Sequence, residues 1–60
     1  MIEFDRLYHD LMEYWTHMAQ GFVINAMIDV QKAWENQDFE TLVEWAVQEG
    51  FNINDYYINS

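Results

Sequence analysis

Sixty residues make one domain at most, and they carry eleven carboxylates against Arg6 and Lys32, a net charge of −9. That balance excludes nucleic acid and anionic membrane as direct partners, because both are polyanions, and it favours a protein with a basic surface. With no cysteine there is neither a disulfide staple nor a Cys-based zinc site. A chain this short buries only about 60% of its unfolded surface, so stability is expected to come from association.

The first element is read from Phe4, Leu7, Leu11, Trp15, Met18 and Phe22, which recur at alternating steps of three and four residues. That spacing is one face of an α-helix. Tyr8, Met12 and Ala19 widen the apolar face, whereas Asp5, His9, Glu13, Thr16 and Gln20 fall opposite it. Glu3 and Asp5 suit the positive end of the helix dipole, and the face is expected to run unbroken to Ala19. Its six anchor residues are also the expected self-association surface, because eleven aromatic rings are hard to hide in one small core.

Beyond Gly21 a second apolar face, Val23, Ala26, Met27, Val30, Ala33 and Trp34, is rotated by roughly 80° from the first. A straight helix cannot serve one neighbour with both halves. Either the chain kinks or turns at Gln20-Gly21, or one continuous helix faces two partners; the sequence, without proline, leans towards the continuous or kinked form.

A break follows at Glu35-Asn36-Gln37-Asp38. Asp38 is a good N-cap with Glu40 in the first turn behind it, and Phe39, Leu42, Val43, Ala46 and Val47 form the stripe of a helix over Phe39 to Glu49. Gly50 is placed for the left-handed C′ position, with Phe51 at C″ folding back onto Ala46. Around Glu44 to Ile53, EWAVQEGFNI resembles the ending of nitrogen-fixation-type leader peptides, where a helix runs into Gly-Phe and a polar–apolar step. Those leaders precede a modified core peptide, which is not expected here. The same pattern is what a Gly-capped helix with an apolar C″ residue requires, and that is the reading carried forward. In the tail, Asn52 or Asn54 can cap a helical turn that lays Ile53, Tyr56 and Tyr57 over the helices; an irregular segment is the alternative.

The expected fold is therefore all-α: two long helical segments, which may be one kinked helix, plus a C-terminal helix, completed by dimerisation. The start Met-Ile-Glu-Phe-Asp has no basic n-region, and Phe22-Val23-Ile24 is far too short to span a bilayer, so a soluble, cytoplasmic chain is expected.

Four sites invite a functional reading. His9, Glu13 and His17 follow at i, i+4 and i+8, but the outer two lie about 12 Å apart along a helix axis, too far to share an ion. A solvated face is the better reading, and no metal or cofactor is expected. Asp5, Asp10 and Glu13 lack the cleft and nucleophile that acid–base catalysis needs, so no enzyme is expected. Trp45, about 120° from the buried stripe, is either a rim residue under the tail tyrosines or an aromatic anchor for a partner. Glu40, Glu44 and Glu49 on the third helix, with Asp29 and Glu35 on the second, make acidic outer faces. They either solubilise the chain or imitate a phosphate backbone to a protein's nucleic-acid groove. Small acidic chains of this kind resemble the counter-defence proteins of phages and mobile elements, some of them DNA mimics. That resemblance implies a non-enzymatic inhibitor of another protein. The alternative is a structural or regulatory homodimerisation module.

Overall fold

The computed structural model describes residues 1–18 and 22–58, with the side chain of Phe22 outside that description. Its order is α1 (Phe4–Thr16), α2 (Phe22–Glu35), α3 (Phe39–Gln48) and a 3₁₀ turn (Ile53–Tyr56). The all-α class and the two long segments plus a C-terminal helix agree with the sequence pattern.

The first helix stops earlier than its periodicity implies. Thr16 turns its hydroxyl back onto the Met12 carbonyl at 2.8 Å, which competes with continued helical bonding. The next two amides, of His17 and Met18, donate to the carbonyls of Tyr14 and Trp15, three residues back. That is the tightening of a final turn. The unbroken helix to Ala19 is thus corrected: the break begins at His17. Met18 keeps the three-residue step from Trp15 because it still packs on the core from outside the helix. The kink or short turn considered at Gln20-Gly21 lies outside the described residues, but the continuous-helix reading is corrected, since α1 ends at Thr16 and α2 begins at Phe22.

The helices meet along the predicted faces. Leu7, Leu11 and Trp15 of α1, Val23, Ala26 and Val30 of α2, Leu42 and Ala46 of α3 and Tyr56 of the tail form one core. Trp15 is its largest fully buried side chain. Val47 departs from the buried stripe assigned to it and is 55% exposed. At 100° per residue it points towards Glu40 and Glu44, away from Leu42 and Ala46.

Both junctions after the long packing helices are built alike. At the end of α2 the Asp38 amide donates to the Ala33 carbonyl at 2.7 Å, and the Gln37 amide to Trp34 at 3.1 Å. At the end of α3 the Phe51 amide donates to Ala46 at 2.9 Å, and the Gly50 amide to Val47 at 3.0 Å. Each is the six-to-one and five-to-two pair of a Schellman ending, and each puts its C′ residue at positive φ: 58° at Gln37, 91° at Gly50. Asp38 then caps α3, its carboxylate accepting from the Thr41 amide and, at 2.7 Å, from the Thr41 hydroxyl.

The chain ends pair with each other. Ile2 and Tyr57 form an antiparallel bridge. The Glu3 amide donates to Tyr56, and the Ile58 amide to Met1, each at 2.7 Å. Glu3 makes no side-chain cap, so the tail holds the N-terminus of α1. Asn52 caps the 3₁₀ turn through the Asn54 amide at 3.1 Å. Tyr56 and Ile53 fold over the helices as expected, but Tyr57 faces out.

Candidate functional site

The residues read from the sequence as functional separate into three groups. Glu40 and Glu44 stand one turn apart on the outer side of α3, exposed and without an ion pair among the described residues, with Val47 beside them. Asp29 and Glu35 are exposed as well. Six residues of helix, however, set them about 120° apart, so they flank α2 on different sides and do not extend a single acidic row.

Glu49 and Trp45 are engaged by the chain itself. Glu49 is half-buried and its Oε1 accepts the indole N–H of Trp15 at 2.8 Å. An indole N–H in the core needs an acceptor, and Glu49 is placed to supply it. Trp45 packs edge-on against Trp15, ring centres 5.6 Å apart at 85°. It is a rim residue, but it sits under Trp15 where the tail tyrosines were expected.

The third group is the self-association stripe. Leu7, Leu11 and Trp15 are at most 1% exposed inside a single chain. Phe4 stacks on Phe39 at 4.3 Å, and Met18 packs on the core. These five positions leave no broad face for a second copy, because α2, α3 and the tail cover them; the Phe22 side chain lies outside the described residues. Exposed apolar surface is found instead on α2, where Ile24 is 63% and Ile28 44% exposed one turn apart.

Between α1 and the tail lies a groove where the sequence reading expected no cleft beside Asp10 and Glu13. Asp10, Glu13, Tyr14 and His17 from α1 and Phe51 and Tyr56 from beyond α3 line an open groove of about 300 Å³. The Tyr14 ring stands edge-on to Phe51 at 5.6 Å and 85°, and Phe51 lies beside Tyr56 at 6.4 Å. The Tyr56 hydroxyl donates to Asp10 Oδ2 at 2.7 Å. Burial of the ring, then the hydrogen bond and charge of Asp10, push this phenol up to about 12, so it remains a donor through the neutral range. Arg6 covers the Tyr56 ring, its guanidinium carbon 4.6 Å from the centroid; it also pairs with Glu3 at 3.1 Å and donates to the Asp55 carbonyl.

The Tyr56–Asp10 pair spans 46 positions of sequence. No local periodicity signals such a contact; the Gly50 ending and the tail turn indicated a return over the helices, but not to Asp10. His9 sits near this site, its Nδ1 3.8 Å from Glu13 and 3.9 Å from Asp10, on the solvated side of α1. Among the described residues, no helix is long and apolar enough to cross a membrane. Comparison with protein-family models, with curated proteins and with solved structures finds no match to this chain.

Proposed function

We propose that this protein is a non-enzymatic acidic binder that inhibits another protein by occupying its basic, nucleic-acid-binding surface. The observation that carries the reading is the pair Glu40 and Glu44, two exposed carboxylates on adjacent turns of α3 that make no ion pair among the described residues, in a chain of net charge −9. A groove evolved for a polyanion attracts such a row, and long-range attraction acts mainly on the rate of encounter. The phage or mobile-element counter-defence role is the form of this function that the composition resembles.

The test is binding to basic nucleic-acid enzymes with and without competing nucleic acid. Affinity is expected to fall steeply with salt, since exposed charges are screened over about 8–10 Å at physiological ionic strength. Glu40→Gln with Glu44→Gln keeps shape and helix propensity and should lower the association rate by about three- to tenfold at low salt. Salt-independent binding, or a silent charge pair, would remove mimicry as the explanation.

One observation favours a second reading, a homodimerisation module whose acidity serves solubility. Ile24 and Ile28 leave an apolar strip on the outer side of α2. Sedimentation at micromolar concentration, with Ile24→Gln and Ile28→Gln as the disrupting pair, decides whether that strip joins two copies.

A further inference from the structure

We propose that the groove between α1 and the tail receives the side chain of an arginine presented by a basic protein partner. The inference rests on the reading of the chain as a binder of basic protein and locates a contact separate from Glu40 and Glu44, neither of which lines the groove. Shape, charge and a precedent within the chain support it.

The walls are aromatic. Tyr14 and Phe51 meet at 85° to form a corner, and Tyr56 continues the surface beyond Phe51. Ring faces attract cations through their quadrupole. At about 300 Å³ the groove lies at the lower limit for small-molecule pockets, and it is open on one side. Those dimensions suit one side chain entering from a partner's surface better than an enclosed metabolite.

The rim is anionic. Among the described residues Asp10 and Glu13 make no ion pair with lysine or arginine; His9 lies 3.8–3.9 Å from them, and His17 lines the groove one turn beyond Glu13. Tyr56 holds one oxygen of Asp10 at 2.7 Å and so fixes the carboxylate at the edge of the groove. A cation here meets both carboxylates while its hydrocarbon stem lies on the rings. Arg6 shows that this aromatic cluster accepts a guanidinium: it already lies 4.6 Å from the Tyr56 centroid, outside the groove lining. Arginine is preferred over lysine because its planar, weakly hydrated head stacks on rings and forks to carboxylates, whereas an ammonium is a compact, strongly hydrated charge.

The experiment titrates N-acetyl-arginine amide into the whole chain at low salt and follows the backbone amides by NMR. N-acetyl-citrulline amide serves as the uncharged isostere and N-acetyl-lysine amide as the rival cation. Saturable shifts are expected at Asp10, Glu13, Tyr14, His17, Phe51 and Tyr56, with weaker binding of the lysine probe and none of the citrulline probe. Glu13→Gln and Tyr14→Gln, both at exposed helix positions where the fold is expected to survive, should each weaken binding by about two- to fivefold. Glu40→Gln with Glu44→Gln should leave it unchanged. Shifts spread over the whole acidic surface, equal binding of citrulline or lysine, or indifference to the Glu13 and Tyr14 substitutions would overturn the assignment. If the arginine probe fails while a basic protein still binds through Glu40 and Glu44, the groove is wrong and the wider function stands. If the probe binds and no basic protein does, the wider function is what fails.

Discussion

The junction after α2 and the junction after α3 solve one problem with different residues. Each ends a helix with the same two back-bonds, and each then lays aromatic rings against α1. On either side of the α2 junction, Trp34 at the end of α2 and Phe39 at the start of α3 stack on Tyr8 and Phe4 at 4.8 and 4.3 Å, with no side-chain hydrogen bond to any of the four rings among the described residues. After α3, the rings carry polar handles: Trp15 is tied to Glu49 and Tyr56 to Asp10. The first junction joins α1 through ring contacts, its side-chain hydrogen bonds being the local ones of the Asp38 cap. The second adds two hydrogen bonds between residues far apart in sequence, and it is also where the open groove lies. The difference places the long-range polar contacts, and the mutations that would break them, at the α3 end.

The largest effect expected from that contrast is at Trp15. Trp15→Ala removes the biggest fully buried side chain and the ring against which Trp45 packs, and should cost about 3–5 kcal/mol in denaturant unfolding. Trp15→Phe retains much of the packing but removes the N–H, so the ring and its handle can be separated. Glu49→Ala tests the handle from the other side. It leaves the buried indole N–H without its acceptor, at about 1–3 kcal/mol. If Glu49→Ala is silent while Trp15→Phe is not, the loss belongs to packing, and the two junctions are more alike than the hydrogen bonds suggest.

Tyr56 gives the comparison a pH axis. Its phenol is raised from about 10 in the unfolded chain to about 12 in the folded one, by burial first and then by Asp10. The folded state therefore favours the protonated form. This contribution is fully present below pH 10 and is lost as pH rises from about 10 through about 12. Tyr56→Phe should destabilise by about 1–2 kcal/mol at neutral pH and flatten the alkaline fall in melting temperature. An equally steep fall in the Phe variant would assign alkaline unfolding to other groups.

How much of this was legible depended on whether the cause was local. The α1 face from Phe4 to Trp15, the Asp38 cap and the Gly50–Phe51 ending are written in neighbouring residues, and the structure carries all three. The early stop of α1 was hidden because Met18 preserves the apolar step after the helix has ended. The Ile2–Tyr57 bridge and the Asp10–Tyr56 bond join opposite ends of the chain and leave no periodic trace. Glu49 looked like one more surface carboxylate because nothing in its own helix reveals that the Trp15 indole comes to rest beside it. The stripe expected to join two copies was correctly identified as apolar. What covers it is the chain's own α2, α3 and tail, which the sequence could not assign to one side or the other.

The smallest effect bears most directly on the likeness of the two junctions. Glycine at the end of α3 announces a left-handed residue; glutamine at the end of α2 conceals one, and nothing in its chemistry marks position 37 as special. An L-residue in this region costs about 1–2 kcal/mol, because its Cβ approaches the following carbonyl. Gln37→Gly should remove that cost while adding freedom to the unfolded chain, for a net stabilisation of about 0.5–1 kcal/mol. Gly50→Ala should do the reverse. A Cβ at Gly50 meets nothing within 4 Å, so its penalty of about 1–2 kcal/mol would be conformational and not a clash. Paired melts of the two variants measure the same backbone term in opposite directions. If Gln37→Gly fails to stabilise while Gly50→Ala destabilises, residue 37 is not held at positive φ in solution, and the α2 junction ends its helix by some other geometry.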